Sequence, residues 1–142
     1  MEYSTLDKLG VRVSRLGFGC MRFPLTVEGK IDEPRAAAML DTAYKAGVTY
    51  YDTAYFYHQH TGEAFLGRAM KRYPRDTFYL ATKMPMSIVE SLDHAKEIFE
   101  GQLAALQTDY VDFYLLHAVN GERWKQAQEM GIVDFLLEMQ KA

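Results

Sequence analysis

The sequence of 142 residues predicts an α/β fold, in which four β-α units follow an N-terminal β-hairpin. Short runs rich in β-branched and aromatic residues alternate with longer runs whose apolar residues recur at helical spacing. Glycine or proline stands at several of the boundaries between these runs. Because alternating strands and helices imply parallel pairing with right-handed crossovers, we expect a parallel sheet.

The strand-like runs are short and come at regular intervals. Residues 3–6 and 11–13 flank a turn at 7–10 and predict the hairpin, and a further strand-like run covers residues 14–20. Three more strands are predicted over residues 48–52, 77–83 and 111–117.

Four helical segments complete the pattern. The first starts at Asp32, which can cap it, carries Pro34 in its first turn and ends at Gly47. The others are predicted over residues 62–73, over residues 87–106 and from Trp124 onward with a break near Gly131. The helix at 87–106 is amphipathic, with apolar residues at steps of three and four.

Two architectures use repeated β-α units: the doubly wound open sheet and the eightfold barrel. No strand is followed by a G-x-G-x-x-G sequence that opens a helix, so the dinucleotide fingerprint of the open sheet is absent. The nearest match, Gly17-Phe18-Gly19, lacks the third glycine and leads into a loop. This favours the barrel.

Composition excludes several classes of protein. The net charge is −3 and no basic cluster is present, which argues against a nucleic-acid-binding protein. No stretch approaches the roughly 18 uninterrupted apolar residues of a membrane span. No secretion signal is recognisable and Cys20 is the only cysteine, so we expect a cytoplasmic chain without an internal disulfide or a complete metal–sulfur site.

Ionisable residues close three successive predicted strands: Asp52, Lys83 and His117. Each alone has an ordinary structural explanation, as a turn cap, a solvated loop lysine or a core histidine. Together they favour an active site, because the carboxyl ends of parallel strands meet at one rim. Tyr57 follows Asp52 closely enough for its loop to fold back over that rim.

The motifs around these residues resemble those of the aldo/keto reductases. The segments that carry the resemblance are DTAYFY (52–57), GE (62–63), LGRA (66–69), GFGCM (17–21), ATK (81–83) and YLLH (114–117). The resemblance implies a (β/α)8 barrel of the TIM type, of which residues 1–142 would form the N-terminal portion as a single, incomplete domain.

The resemblance also implies a reaction and its residues. These enzymes pass a hydride from NADPH to an aldehyde or ketone. Tyr57 would be the general acid, Lys83 would stabilise its phenolate, Asp52 would hold Lys83, and His117 would hydrogen-bond the carbonyl oxygen or Tyr57. The family's cofactor-binding positions correspond to Gly19, Cys20, Met21 and Asp52.

Further similarity points to a bacterial and archaeal branch whose members often carry a ferredoxin-like tail with a 4Fe-4S cluster. Its segments are GFGCMRFP (17–24) and LLHAVN (115–120), with Trp124 ahead of DFL (134–136). The cysteines of such a tail would lie beyond residue 142.

Four β-α units cannot close a barrel, so the first and fourth parallel strands would be open edges. We therefore expect that the isolated chain is marginally stable, self-associates, or is a truncated gene product, and that it has little activity of its own. Two alternatives remain: a non-catalytic half-barrel assembly module, and a metal-dependent hydrolase that uses His58 and His60.

Overall fold

The computed structural model describes residues 1–141 and forms an α/β structure. The strands are β1 (Tyr3–Leu6), β2 (Val11–Ser14), β3 (Phe18–Gly19), β4 (Tyr50–Asp52), β5 (Tyr79–Met84) and β6 (Phe113–Leu116). The helices are α1 (Glu33–Lys45), α2 (Gly62–Met70), α3 (Leu92–Leu106), α4 (Gly121–Glu129) and α5 (Ile132–Met139).

The strands form two sheets. β1 and β2 make the antiparallel hairpin, and the other four form a parallel sheet in the order β3-β4-β5-β6. The spatial order follows the chain order, so each helical crossover moves the chain on by one strand. The parallel α/β fold predicted from the alternating pattern is thus confirmed.

The predicted strand at 14–20 was too long, because only Phe18–Gly19 of this run joins the parallel sheet, while Ser14 belongs to β2. Ser14 ends the hairpin through its reciprocal hydrogen bonds with Thr49, of 2.8 and 2.9 Å. After Gly19 the backbone tightens into a 3-10 turn, Cys20–Arg22. The chain therefore leaves the sheet edge immediately after Gly19.

Helix boundaries follow capping side chains. Asp32 caps α1 as predicted, by accepting a hydrogen bond from the Arg35 N–H. The helix predicted from residue 87 begins only at Leu92, because Ser91 is extended and accepts a hydrogen bond from the His94 N–H. The predicted break near Gly131 is confirmed, since this residue separates α4 from α5 with a φ of +72°.

Two apolar clusters fill the layer between the parallel sheet and its helices. One lies under α1 and α2 and includes Leu40, Tyr51 and Leu66; the other lies under α3 to α5 and includes Met84, Ile98 and Ile132. The helices α2 and α3 approach so closely that a Cβ added at Gly67 would lie 2.6 Å from backbone atoms of α3.

The two faces of the parallel sheet differ. Tyr51, Leu80 and Met84 point toward the helices and are buried, whereas alternate residues point to the opposite face. Asp52 and Lys83 belong to that opposite face, which is where the ionisable groups gather. Within residues 1–141, no helix combines the length and the apolar character needed to cross a membrane.

Candidate active site

Asp52 and Lys83 form the centre of the site. β4 and β5 are parallel, and Asp52 lies opposite Ala81, so Lys83 lies two residues further along on the same face. The Lys83 ammonium donates hydrogen bonds to Asp52 Oδ1 at 2.6 Å and to the Thr53 carbonyl oxygen at 2.7 Å. Its side chain is only 14% exposed and that of Asp52 29%, so solvent screens this ion pair only in part.

Tyr57 reaches the same site from the loop after β4. Three consecutive residues of this loop, His58, Gln59 and His60, have φ values of 52°, 54° and 68°, in the left-handed region. They reverse the chain toward α2 and leave the Tyr57 hydroxyl 3.4 Å from the Lys83 ammonium, which donates to it. The ammonium also lies 5.0 Å from the centre of the Tyr57 ring.

His117 lies directly after β6. Its N–H donates to the Met84 carbonyl oxygen at 2.9 Å, which extends the β5–β6 ladder by one step. The imidazole contacts the Tyr57 ring edge to face, with ring centres 6.0 Å apart. The two side chains touch through their rings and share no hydrogen bond. Within residues 1–141, His117 Nδ1 is buried and has no hydrogen-bond partner.

The electrostatic surroundings favour a neutral His117. Partial burial and the nearby Lys83 ammonium lower the pKa of the imidazole, whereas Asp52 acts in the opposite direction with a smaller effect. A neutral imidazole keeps one N–H donor and one acceptor nitrogen. The arrangement can therefore place an ammonium, a phenol and a neutral imidazole around one small polar group.

The segment at the end of β3 borders this site. Gly19 lies opposite Asp52 in the register, is exposed, and has no heavy atom within 4 Å of the place a Cβ would occupy. Met21 is 49% exposed. Cys20 is fully buried in the core, where burial above all raises the pKa of its thiol, so neither its side chain nor its backbone presents exposed surface to a ligand.

The two histidines that suggested a metal site lie in separate contacts. His58 stacks on Phe23, and its Nε2 lies 3.0 Å from the Cys20 carbonyl oxygen. The His60 ring packs edge to face on Tyr55. In the described part of the chain, no three metal-binding side chains of the histidine, cysteine or carboxylate type come together.

A buried set of polar side chains behind Lys83 escaped the sequence analysis. We call it the polar layer: it consists of Glu63, Thr82, Gln102 and Tyr114, on the helix side of the sheet. The Gln102 amide donates to Glu63 Oε1 at 2.7 Å, to the Thr82 hydroxyl at 3.2 Å and to the Lys83 carbonyl oxygen at 3.1 Å. The Thr82 hydroxyl donates to Glu63, and the Tyr114 hydroxyl donates to Gln102.

A well-defined cleft of the described chain lies elsewhere. It has a volume of about 530 Å³ and lies at the amino end of the sheet, between the last turns of α2 and α3. Its walls include Met70, Phe78 and Leu106, and none of the four predicted catalytic residues lines it. The four candidate residues therefore lie outside this cleft.

Comparison with known proteins shows which family the chain is similar to. The model of the aldo/keto reductase family matches residues 15–141. The aldo-keto reductase YhdN of Bacillus subtilis (strain 168) is 34% identical over 125 residues, which cover 82% of this chain and 38% of that protein.

Solved structures show the same similarity. An aldo-keto reductase from Bacillus halodurans in its holo form superimposes with a TM-score of 0.71 at 32% identity, over 93% of this chain and 48% of that one. An aldo-keto reductase from Klebsiella pneumoniae in complex with NADPH gives 0.67 at 26% identity, over 85% and 44%. The chain thus spans less than half the length of each of these three relatives. The chain belongs to the aldo/keto reductase family.

Proposed function

We propose that Asp52, Tyr57, Lys83 and His117 are the proton-transfer groups of a site that reduces aldehydes or ketones with NADPH. The contact that carries the proposal is the Lys83 ammonium between Asp52, at 2.6 Å, and the Tyr57 hydroxyl, at 3.4 Å. A cation beside a phenol stabilises the phenolate, so the phenol gives up its proton more readily.

The roles follow from these contacts. Tyr57 donates its proton to the carbonyl oxygen as negative charge develops there, and Lys83 stabilises the phenolate that remains. Asp52 and the Thr53 carbonyl oxygen hold the ammonium in place. Neutral His117, whose ring touches that of Tyr57, donates an N–H to the same carbonyl oxygen and orients it.

The cofactor supplies the hydride when it is bound. The exposed backbone at Gly19, with open space where a side chain would be, allows a flat ring to approach β3 beside Asp52. The exposed Met21 continues that edge, whereas Cys20 between them is buried. The NADPH complex of the relative from Klebsiella pneumoniae supports the choice of cofactor.

Because the chain spans less than half of each of the three relatives named above, we propose that it is the N-terminal part of one barrel domain. The remaining cofactor contacts would then come from sequence outside it, and the chain alone would turn over little substrate. The iron–sulfur tail implied by the resemblance lies outside the described residues and stays a prediction.

A hybrid protein tests the function. Residues 15–141 replace the matching segment of the Bacillus subtilis relative, and NADPH oxidation by 4-nitrobenzaldehyde is followed at the nicotinamide absorbance, with cofactor binding measured by fluorescence. We expect Tyr57→Phe to lower kcat by about 10²-fold or more while NADPH binding is retained. A Tyr57→Phe hybrid as active as its parent would refute the assignment, and Tyr55→Phe serves as the control.

A second proposal concerns association. In residues 1–141, β3 pairs only with β4 and β6 pairs only with β5, so both outer edges of the parallel sheet are unpaired. The face that carries Asp52 and Lys83 also presents Tyr50, Phe113 and Leu115, the last of these 41% exposed. We propose that the chain on its own self-associates through these edges and this face.

Sedimentation equilibrium tests the association. We expect the mass to rise with protein concentration, and Leu115→Lys to shift the distribution toward the monomer because it places a charge on the apolar face. A monomer at all concentrations, with cooperative thermal unfolding, would contradict the proposal.

A further inference from the structure

The polar layer lies where an apolar core would be expected. Glu63 is 5% exposed, Thr82 is fully buried and Gln102 is 1% exposed. Burial raises the pKa of the Glu63 carboxyl, and the hydrogen bonds from Thr82 and Gln102 oppose that effect only in part. Buried polar groups cost free energy that apolar side chains of similar size would not, so stability alone is a poor explanation of this layer.

One side of the polar layer is attached to Lys83. Thr82 precedes it in β5, and the Gln102 side chain donates to the Lys83 carbonyl oxygen at 3.1 Å. Side chains alternate along a strand, so Thr82 points to the helices when Lys83 points to the site. The backbone from which Lys83 extends is therefore fixed from behind.

The other side of the polar layer is attached to Tyr57. Glu63 follows Gly62, whose N–H donates to the Tyr57 carbonyl oxygen at 3.1 Å. A Cβ at Gly62 would lie 3.0 Å from that oxygen and 3.3 Å from Tyr57 Cβ, so the first turn of α2 packs directly on the Tyr57 backbone. Contacts that hold Glu63 in place therefore also hold the end of the loop that presents Tyr57.

We propose that Glu63 is a positioning residue that joins the Tyr57 loop to the Lys83 strand, through the hydrogen bonds it accepts from Thr82 and Gln102. This link fixes the 3.4 Å between the Tyr57 hydroxyl and the Lys83 ammonium. Glu63 touches neither group and acts only through its neighbours. The inference rests on the proposed function in one respect, because that function makes Tyr57 and Lys83 the catalytic pair.

The test measures the coupling between Tyr57 and Lys83 by NMR and needs no turnover. The whole chain is labelled with ¹³C at tyrosine Cζ, and the Tyr57 resonance is assigned by its loss in Tyr57→Phe. Lys83→Met then displaces this resonance, because the ammonium beside the hydroxyl is gone. The same displacement is measured again in backgrounds that change Glu63.

In Glu63→Leu we expect the displacement to fall to less than half, because the two segments are no longer joined. In Glu63→Gln, where an amide oxygen can still accept both hydrogen bonds, it should keep its full size. Ile98→Val loosens α3 one turn from Gln102 without touching the polar layer, and it should also leave the displacement unchanged.

A full displacement in Glu63→Leu, or a loss equally large in Ile98→Val, would overturn the proposal.

If circular dichroism shows that Glu63→Leu does not fold, Thr82→Val and Thr82→Ser test the link from the other end of the same hydrogen bond. We expect Thr82→Val to weaken the coupling, because only Gln102 then joins Glu63 to β5, and Thr82→Ser, which keeps the hydroxyl, to retain it in full. Equal coupling in both would refute the link, whereas missing carbonyl reduction would count against the proposed function alone.

Discussion

The Lys83 ammonium lies 2.6 Å from Asp52 Oδ1, across the boundary between two neighbouring parallel strands. Both side chains are largely shielded from solvent, so each charge depends on the other for its compensation. Loss of one partner would leave a partly buried charge unpaired, whereas loss of both would not.

We therefore expect Asp52→Asn to lower the free energy of unfolding by roughly 3 kcal/mol, as is typical when one member of a shielded ion pair is removed. Asp52→Asn combined with Lys83→Met should recover part of that loss. Urea unfolding of the three variants and the parent measures the coupling. Strictly additive effects would show that the pair does not stabilise the fold.

The ion pair is also the part of the site that the sequence predicts best. Strand-ending residues of a parallel sheet must meet at one rim, so Asp52, Lys83 and His117 come together as expected. The position of Tyr57 could not be derived from strand periodicity, because it depends on three left-handed residues at 58–60, none of which is glycine. For Tyr57 the family resemblance supplied what the pattern lacked.

The close approach of α2 and α3 gives a second prediction. Gly67→Ala should destabilise the protein by about 1–3 kcal/mol, because the added methyl group meets α3 backbone at 2.6 Å and the helices must separate. Gly101→Ala is the matched control, since it lies within α3 with nothing near its Cβ position. It should stabilise the protein by about 0.5–1 kcal/mol through helix propensity. Thermal unfolding distinguishes the two, and equal effects would contradict this packing.

His117 should make the fold sensitive to mild acid. Burial and Lys83 lower the pKa of this imidazole in the folded state, so the unfolded chain binds the proton more readily. The contribution of His117 to the free energy of unfolding is fully present above the ordinary histidine pKa of about 6.5. It is lost as the pH falls through the lower pKa that this imidazole has in the folded state. Below the ordinary histidine pKa, the free energy of unfolding of His117→Gln should fall less steeply with acid than that of the parent, and at alkaline pH the two slopes should match. An unchanged slope below pH 7 would refute this.

Glu63 should make the stability of the fold depend on pH in the opposite direction. Its carboxyl pKa is raised in the folded state, so the folded protein binds the proton more tightly and the free energy of unfolding falls as the pH rises through this range. Glu63→Gln keeps an acceptor oxygen without the charge and should therefore raise Tm at pH 7. At a pH near 4 the gain should be smaller. A lower Tm at pH 7 would mean that the ionised carboxylate stabilises the fold.

Gln102 shows why the polar layer was missed. It lies one helical turn after Ile98 on the buried face of α3, whose other buried residues are apolar. A polar residue on such a face signals a buried partner, but its identity depends on tertiary contacts. Only the fold brings Glu63 from α2 to the same place.

Hydride transfer itself tests the central claim most directly. In the hybrid that carries residues 15–141, a single turnover with NADPH deuterated at the transferred position of C4 and with benzaldehyde should give benzyl alcohol with one deuterium on the carbinol carbon. Tyr57→Phe, with the same amount of cofactor bound, should slow that transfer by about 10²-fold or more. Transfer at the parent rate in Tyr57→Phe would contradict the role assigned to Tyr57 and Lys83.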